Sequence, residues 1–404
     1  MASATTLSTV SAFYKRIYAG GRPGDIAMRD KPLLSKLRKD SGFTGYDSSG
    51  TYAYAIGYGN AQGIHTTFSS AQTAAAASKA VQMRADRIKY FGVVTVDGEA
   101  MAASKGDGAF WSALQRETDM VLDGMGEEYE FQLFRDGTGV RGRRSSASSN
   151  IITLSSAADA KNFRIGMTVS ASANADGSSL HTGTTTIASI DEDAGTVTLT
   201  SAAAINSFAD NDYLYRSGFE GTTKNITGLA AHIPLTAPSP SENFRGVDRS
   251  VDTRRLAGVR INDTSTTIEE NIGNVAMKIM EVGKKADAVF LSPGNLWQVL
   301  KRRQSQVVYN GAGGEAKFGF GEAVVETPAG TVRCYASPLC PGNRGYVMTM
   351  GTWYVKSLLG IPHIINDDGN AHLRQTSDDG IEVRVRSMSN LICTEPGANG
   401  VFAI

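Results

Sequence analysis

The stretch from Asp107 to Phe134 reads as one helix, and its length constrains the chain more than any other feature. At about 1.5 Å per residue it spans roughly 42 Å, long for a single compact globule. Trp111, Leu114, Thr118, Leu122, Met125, Tyr129 and Leu133 recur three or four apart and predict one buried stripe. The other face carries Glu117, Asp119, Asp123, Glu127, Glu128 and Glu130. Gly124 and Gly126 each weaken the helix by roughly 1 kcal/mol relative to Ala, so a bend is expected and only packing can hold it straight. A rigid strut preceded by an aromatic arm and followed by a mixed domain is the layout of a part that tiles with copies of itself.

With 404 residues the chain has material for two or three domains. Lys plus Arg and Asp plus Glu each number 40, so the formal charge is zero. A free-standing nucleic-acid binder needs a basic excess to neutralise phosphates, which this composition does not supply. A protein that encloses nucleic acid without gripping it remains compatible. Cys334, Cys340 and Cys393 are too few for a disulfide framework and are expected as buried thiols. No apolar run approaches 18 residues, and residues 1–20 lack a hydrophobic signal core. With Met1 in place, the expectation is a soluble, cytoplasm-made protein that has lost no leader.

Residues 1–45 carry Lys15, Arg16, Arg22, Arg29, Lys31, Lys36, Arg38 and Lys39 against Asp25, Asp30 and Asp40. They read as an extended basic arm with a short helix around Pro32–Lys39. From Thr51 to Gly59 large and small residues alternate, a strand signal, and Ile88–Val96 is rich in β-formers. These two strands are expected to flank a glycine-rich tip and an Ala-rich helix near Ala71–Ala80. Such a loop has few local contacts and is marginal unless packed on something else.

Residues 145–217 change to a Ser/Thr/Ala-rich composition. Asn150–Ser155, Met167–Ala173, Thr182–Ile190, Gly195–Ser201 and Asp212–Arg216 predict five short strands, with a hairpin turn at Asp191–Gly195. They suggest a small barrel or sandwich inserted into a host domain, with no chemistry of its own. The host resumes with strand-like Ile233–Leu235 and Arg255–Ile261. Thr264-Ser265-Thr266 is expected to cap a helix running to about Val282, and Ala286–Leu291 is expected as a buried strand. A second helix should start at Pro293 and end in Lys301, Arg302 and Arg303. Asn310–Gly321 is glycine-rich; Ile381–Met388 and Leu391–Thr394 close the chain as strands. The class is α+β, with antiparallel sheet expected.

No motif carries a catalytic mechanism. His65, His181, His232, His363 and His372 fall in unrelated settings without ligand spacing. Asp367-Asp368-Gly369-Asn370 lacks the spacing of a calcium loop and reads as a turn. No phosphate-binding G-x-x-x-x-G-K-[ST] occurs, and Cys334 and Cys340 lack the two-residue spacing of a zinc or redox pair. No enzyme, metal or cofactor is expected.

The order of parts resembles the major capsid protein of tailed bacteriophages, the Hong Kong 97-like fold. Supporting stretches are Val96-Asp97-Gly98-Glu99-Ala100, Ser104-Lys105-Gly106-Asp107-Gly108-Ala109-Phe110, and Phe244-Arg245-Gly246-Val247-Asp248-Arg249-Ser250. The resemblance implies an N-terminal arm (1–44), an extended β-loop (45–98) and a spine helix opening a peripheral domain (99–144). It further implies peripheral strands (218–263), an axial domain (264–370) and peripheral return strands (371–404). It leaves out 145–217, an inserted small all-β domain. Its implied function is a virion shell, assembled in the host cytoplasm from hexamers and pentamers, enclosing double-stranded DNA and joined to a portal. The short arm implies a separate scaffolding protein, and a decoration protein is compatible. No lysine and asparagine pair suits a covalent cross-link, so non-covalent locking is implied. No membrane partner is expected.

In that setting the extended loop should lie over a neighbouring subunit, burying Tyr52, Tyr54, Tyr58, Phe68 and Tyr90 there. Arg84 and Arg87 are candidates to pair with the acidic face of a neighbour's spine, and Arg245 and Arg249 are further contact candidates. The alternatives are that the tyrosines cover their own domain and the arginines are ordinary solvated charges. A loop folded back onto its own molecule, with no second copy beneath it, would end the shell reading. Rival functions are a cellular encapsulin compartment, a β-rich surface adhesin and, least supported, an enzyme.

Overall fold

In the computed structural model, the described residues are 30–43, 50–96, 107–201, 207–304, 323–366, 369, 373–374 and 380–404. The arm before residue 30, the glycine-rich 310–321 and most of the Asp367–Asn370 turn lie outside them. The class is α+β. The chain divides into two compact units: Met1–Thr44 with Arg87–Glu130 and Val355–Asn390, and Gly45–Asp86 with Phe131–Tyr354 and Leu391–Ile404.

The first unit is a sheet against the spine helix. The helix runs unbroken over Asp107–Phe134, across both glycines. Its predicted stripe is buried at Thr118, Leu122, Met125, Tyr129 and Leu133; the side chains of Trp111 and Leu114 lie outside the described residues. The central strand is Ile381–Cys393, one continuous element where two were expected. Along one edge it pairs antiparallel with Ile88–Val96, from Ile381↔Val96 to Ser389↔Ile88. Along the other it pairs with His363–Ile364 and Leu373–Arg374. Gly92 lets the helix approach: a Cβ there would lie 2.7 Å from Val121 Cγ1 and 3.2 Å from Met125 Sδ. Beside it Tyr90 meets Tyr129 edge-on, 5.2 Å between ring centres. The Tyr129 hydroxyl bonds Ser387 and, at 2.8 Å, Ser389. Burial pushes that phenol up to about 12, so it stays a neutral hydrogen-bonding group.

Part of the acidic face of the spine is buried, at Glu128 and Glu130. Glu130 is 1% exposed: Oε1 accepts the Leu33 N–H at 3.1 Å and Oε2 accepts the Leu34 N–H at 2.8 Å. These donors open the short helix Pro32–Lys36, whose first N–H groups have no partner within the helix. Lys31 pairs with Asp123, about two turns before Glu130 along the spine. The end of the arm is thereby fastened to its own strut.

The second unit contains a mixed six-stranded sheet, ordered Val259–Ile261, Gly400–Ala403, Arg344–Met348, Ala288–Leu291, Gly330–Ala336, Ala323–Thr327. Two of its pairings are parallel, Val259–Ile261 with Gly400–Ala403 and Ala288–Leu291 with Gly330–Ala336, which corrects the antiparallel expectation. Strand residues alternate faces. Val289 and Leu291 join Ile268, Ile272, Val275, Ile279 and Val299 from two helices, Ile268–Met280 and Pro293–Gln304. On the opposite face Phe290 and Tyr346 meet Phe134 at the end of the spine, at 6.3 and 6.0 Å between ring centres. Helix Ile268–Met280 is capped by Thr267, which forms a capping box with Glu270. The expected Thr264–Thr266 cap is thus displaced: Asp263 takes the Ser265 N–H in a turn first.

Residues 140–216 form a closed antiparallel barrel, ordered Tyr213–Arg216, Val140–Ser148, Ile151–Leu154, Thr196–Leu199, Thr185–Asp191, Thr168–Ser172. All five predicted strands are present, each slightly shorter. The sixth, Val140–Ser148, was missed because its Arg141-Gly142-Arg143-Arg144 hides the alternation, so the barrel opens at Val140 rather than at residue 145. Ile152, Phe163, Val169, Ala171, Ile187, Val197, Leu199 and Leu214 fill it. At Asp191–Gly195 the Asp191 carboxylate accepts the Asp193 and Ala194 N–H groups and Gly195 is left-handed at φ 66°. Predicted strand Ile233–Leu235 is absent; a short helix, Leu229–His232, precedes it. Its N-cap, Gly228, abuts the end of the spine: a Cβ would lie 2.5 Å from the carbonyl oxygens of both Leu133 and Arg135.

Candidate assembly surface

Tyr52–Gly59 pairs antiparallel with Lys79–Ala85, from Tyr52↔Ala85 to Gly59↔Lys79. The loop is therefore a true hairpin whose second strand begins inside the expected Ala-rich helix. Ile88–Val96, taken as the partner, instead pairs with Ile381–Cys393. The helix at the tip is Phe68–Thr73, capped by the Thr67 hydroxyl accepting the Ser70 N–H.

The hairpin's root is packed on its own chain. Tyr54, Ile56, Met83 and Ala85 form a buried cluster with Val247, Leu256 and Ile392, with Tyr52 and Tyr58 half-buried against it. This corrects the expectation for Tyr54, which its own chain buries; Tyr52 and Tyr58 keep part of their surface open. The alternation that signalled the strand also gives it an apolar face, and that face lies on residues of the same molecule. Tyr90 is likewise corrected, being buried against Tyr129.

The tip differs. Phe68 is 78% exposed and Ile64 is 94% exposed. Phe68 was expected at an interface; Ile64 was not, because a lone isoleucine after glycine gives no periodic signal. Local bonds order this part: Gln62 and Ala76 exchange backbone hydrogen bonds at 3.0 and 3.1 Å.

The arginines divide similarly. Arg84 has an exposed side chain, and its N–H donates to the Arg245 carbonyl at 3.3 Å. Arg87 is half-buried with its guanidinium 5.8 Å from the Phe43 ring centre. Arg245 donates to the Tyr54 hydroxyl and to the Leu391 carbonyl, both at 2.9 Å. Arg249 is 3% exposed, donates to the Ala231 and His232 carbonyls at 2.7 and 3.1 Å, and lies over the Phe244 ring. Burial pulls its guanidinium down to about 10, which leaves it charged. Arg245 and Arg249 thus hold their own subunit together. Burial first, then these two cations, keeps His232 well below its usual 6.5 and therefore neutral.

Cys334, Cys340 and Cys393 are buried thiols. Among the described residues no group of three His, Cys, Asp or Glu is placed to hold a metal. Among them, too, no helix is long and apolar enough to cross a membrane.

No protein-family model matches the sequence, and no curated protein matches it. Among solved structures, the chain is similar to the capsid asymmetric unit of cyanophage A-1(L), at 10% identity, 92% coverage of both chains and TM-score 0.48. It is similar to the capsid of a native GTA particle at 6% identity, covering 93% of this chain and 91% of the other, TM-score 0.48. It is also similar to an encapsulin complex from Synechococcus elongatus at 8% identity, covering 93% and 88%, TM-score 0.42.

Proposed function

We propose that this chain is a major capsid protein of a tailed phage, self-assembling into an icosahedral head that encloses double-stranded DNA. The observation that carries the proposal is the loop hairpin: rooted in its own subunit, it presents Ile64 and Phe68 to solvent at its tip. Two large apolar side chains, Phe68 at the start of the short tip helix and Ile64 just before it, cost solvation free energy unless a second molecule covers them. Zero net charge suits a shell that neither grips its contents nor resists their entry. In this reading residues 1–44 are the arm, 45–98 the extended loop and 99–144 the spine and start of a peripheral domain. The barrel is an outward insertion, 218–263 and 371–404 supply peripheral strands, and 264–370 form the axial domain. The partners are further copies in hexamers and pentamers, a separate scaffold, a portal and a decoration protein. Locking is non-covalent, through the loop tip and the arm.

Negative-stain imaging after co-expression with candidate scaffolding proteins tests the proposal. Closed particles of uniform diameter are expected. Only monomers or irregular aggregates, across scaffolds and protein concentrations, would overturn it.

A further inference from the structure

We infer that Arg245 is the clamp that fixes the attitude of the loop hairpin on its subunit. Arg245 sits in the left-handed region at φ 52°, followed by Gly246 at φ 82°. Together they turn the miniature hairpin in which Asn243–Phe244 pairs with Val247–Asp248. A long side chain in that conformation is unfavourable and persists only where its surroundings over-determine it. Glycine or asparagine would make the same turn without that cost, so the turn alone does not call for arginine. What arginine adds is reach.

Three segments meet on this residue. One guanidinium nitrogen donates to the Tyr54 hydroxyl in the first hairpin strand, and the other to the Leu391 carbonyl in the long C-terminal strand, each at 2.9 Å. Its carbonyl accepts the Arg84 N–H from the second hairpin strand. Both strands of the projecting hairpin are thus tied, through one residue, to the strand that also supplies Ile392 to the root cluster. The cluster alone is apolar and non-directional, so it holds the hairpin down without fixing its angle. The forked, planar guanidinium supplies direction. Arg245 is a positioning residue: it decides where the tip points, while Ile64 and Phe68 decide what the tip binds. The inference concerns a single subunit and stands whether or not the chain builds a shell.

Hydrogen–deuterium exchange on the unassembled protein tests it with two variants. Tyr54→Phe removes one acceptor of Arg245, together with the weak hydroxyl donation to Met83 Sδ at 3.6 Å, and keeps the ring. Arg245→Asn keeps a residue that tolerates the left-handed turn but cannot reach either acceptor. Each should speed exchange of the amides in residues 52–59 and 79–85 by about tenfold, leaving Ala288–Leu291 within about twofold of wild type. Unchanged exchange in the hairpin would overturn the inference. So would an equal rise in both regions, which marks a general loss of stability. Should Arg245→Asn fail to fold, the milder Tyr54→Phe decides the matter by the same two readouts.

Discussion

Replacing Glu130 with glutamine should detach the end of the N-terminal arm from the spine while leaving the rest of the molecule standing. Both carboxylate oxygens of Glu130 accept backbone N–H groups, from Leu33 at 3.1 Å and Leu34 at 2.8 Å, and the side chain is 1% exposed. It is a helix cap supplied from a distant segment, with its negative charge at the N-terminal end of Pro32–Lys36 where the peptide dipoles favour it. Glutamine keeps one acceptor and turns an NH₂ donor toward the other N–H. A hydrogen bond to a charged group contributes about 1.5–3 kcal/mol, and a buried donor left facing a donor costs about as much again as its desolvation. The two effects overlap, so the expected loss is about 2–3 kcal/mol; Glu130→Ala, which forfeits both bonds, should cost about 4 kcal/mol. Urea unfolding gives the total, and amide exchange at Leu33 and Leu34 localises it. A Glu130→Gln protein within about 0.5 kcal/mol of wild type, with those two amides as protected as before, would refute the account.

Acid should weaken the second unit through His232. Its folded form stays neutral because burial and the two arginines oppose the imidazolium, whereas the unfolded chain protonates near 6.5. The unfolded state binds the extra proton, so this contribution is complete above about pH 6.5 and is lost as pH falls, at about 1.4 kcal/mol per unit. Urea midpoints from pH 7.5 down to 5 should show the slope in wild type and a shallower one in His232→Phe; equal slopes would remove His232 from the explanation. Gly228→Ala should cost about 3 kcal/mol or more, since the new methyl meets backbone carbonyls at the end of the spine that cannot rotate away; a melting temperature within a degree or two of wild type would contradict this. Excising Gly142–Leu214 and joining Arg141 to Tyr215 through two glycines should leave a soluble, folded remainder, because the strands that lead into and out of the barrel already pair there. An insoluble product would show that the barrel stabilises its host.

The spine was legible because its signal is long and periodic: seven apolar positions in register outweigh two glycines, and the helix ends where the pattern does. The barrel strands were legible because alternation survives in short segments when turn residues bound them. What failed had a different physical origin. Lys79–Ala85 pairs with Tyr52–Gly59, yet alanine at positions 74–77 and 80 reads as helix, and only the partner strand turns that segment into sheet. The parallel pairings of the mixed six-stranded sheet depend on which distant strands meet, and local sequence does not encode that. The cap that Glu130 provides was not legible because a carboxylate that caps another segment's helix is indistinguishable, in sequence, from one facing water. Tyr54, Tyr90 and Arg249, read as contact candidates, are buried in their own subunit, because aromatic and basic residues near a projecting loop are also what a well-packed root requires.

The rooted hairpin changes what the shell reading needs rather than removing it. A loop ordered entirely by a neighbour would arrive as a floppy chain and lose ordering entropy at every contact. Here the strands are already paired and the root already buried, so only the tip has yet to find cover. An aromatic side chain buries about 150–250 Å², most of it still uncovered at Phe68. At about 25 cal/mol per Å² that residue could contribute about 3–4 kcal/mol and Ile64 about 2–3 kcal/mol. Side-chain ordering takes back about 0.5–1.5 kcal/mol for each. A conservative net of about 2 kcal/mol per tip corresponds to about thirtyfold in an association constant. The double variant Ile64→Ser, Phe68→Ser should therefore raise the protein concentration at which particles appear by about thirtyfold, with the subunit's melting temperature unchanged because neither side chain is packed in the subunit. Light scattering across a dilution series reads the threshold. Assembly at the wild-type threshold would mean that the tip is ornamental, and the case for a shell would then rest on the arm alone.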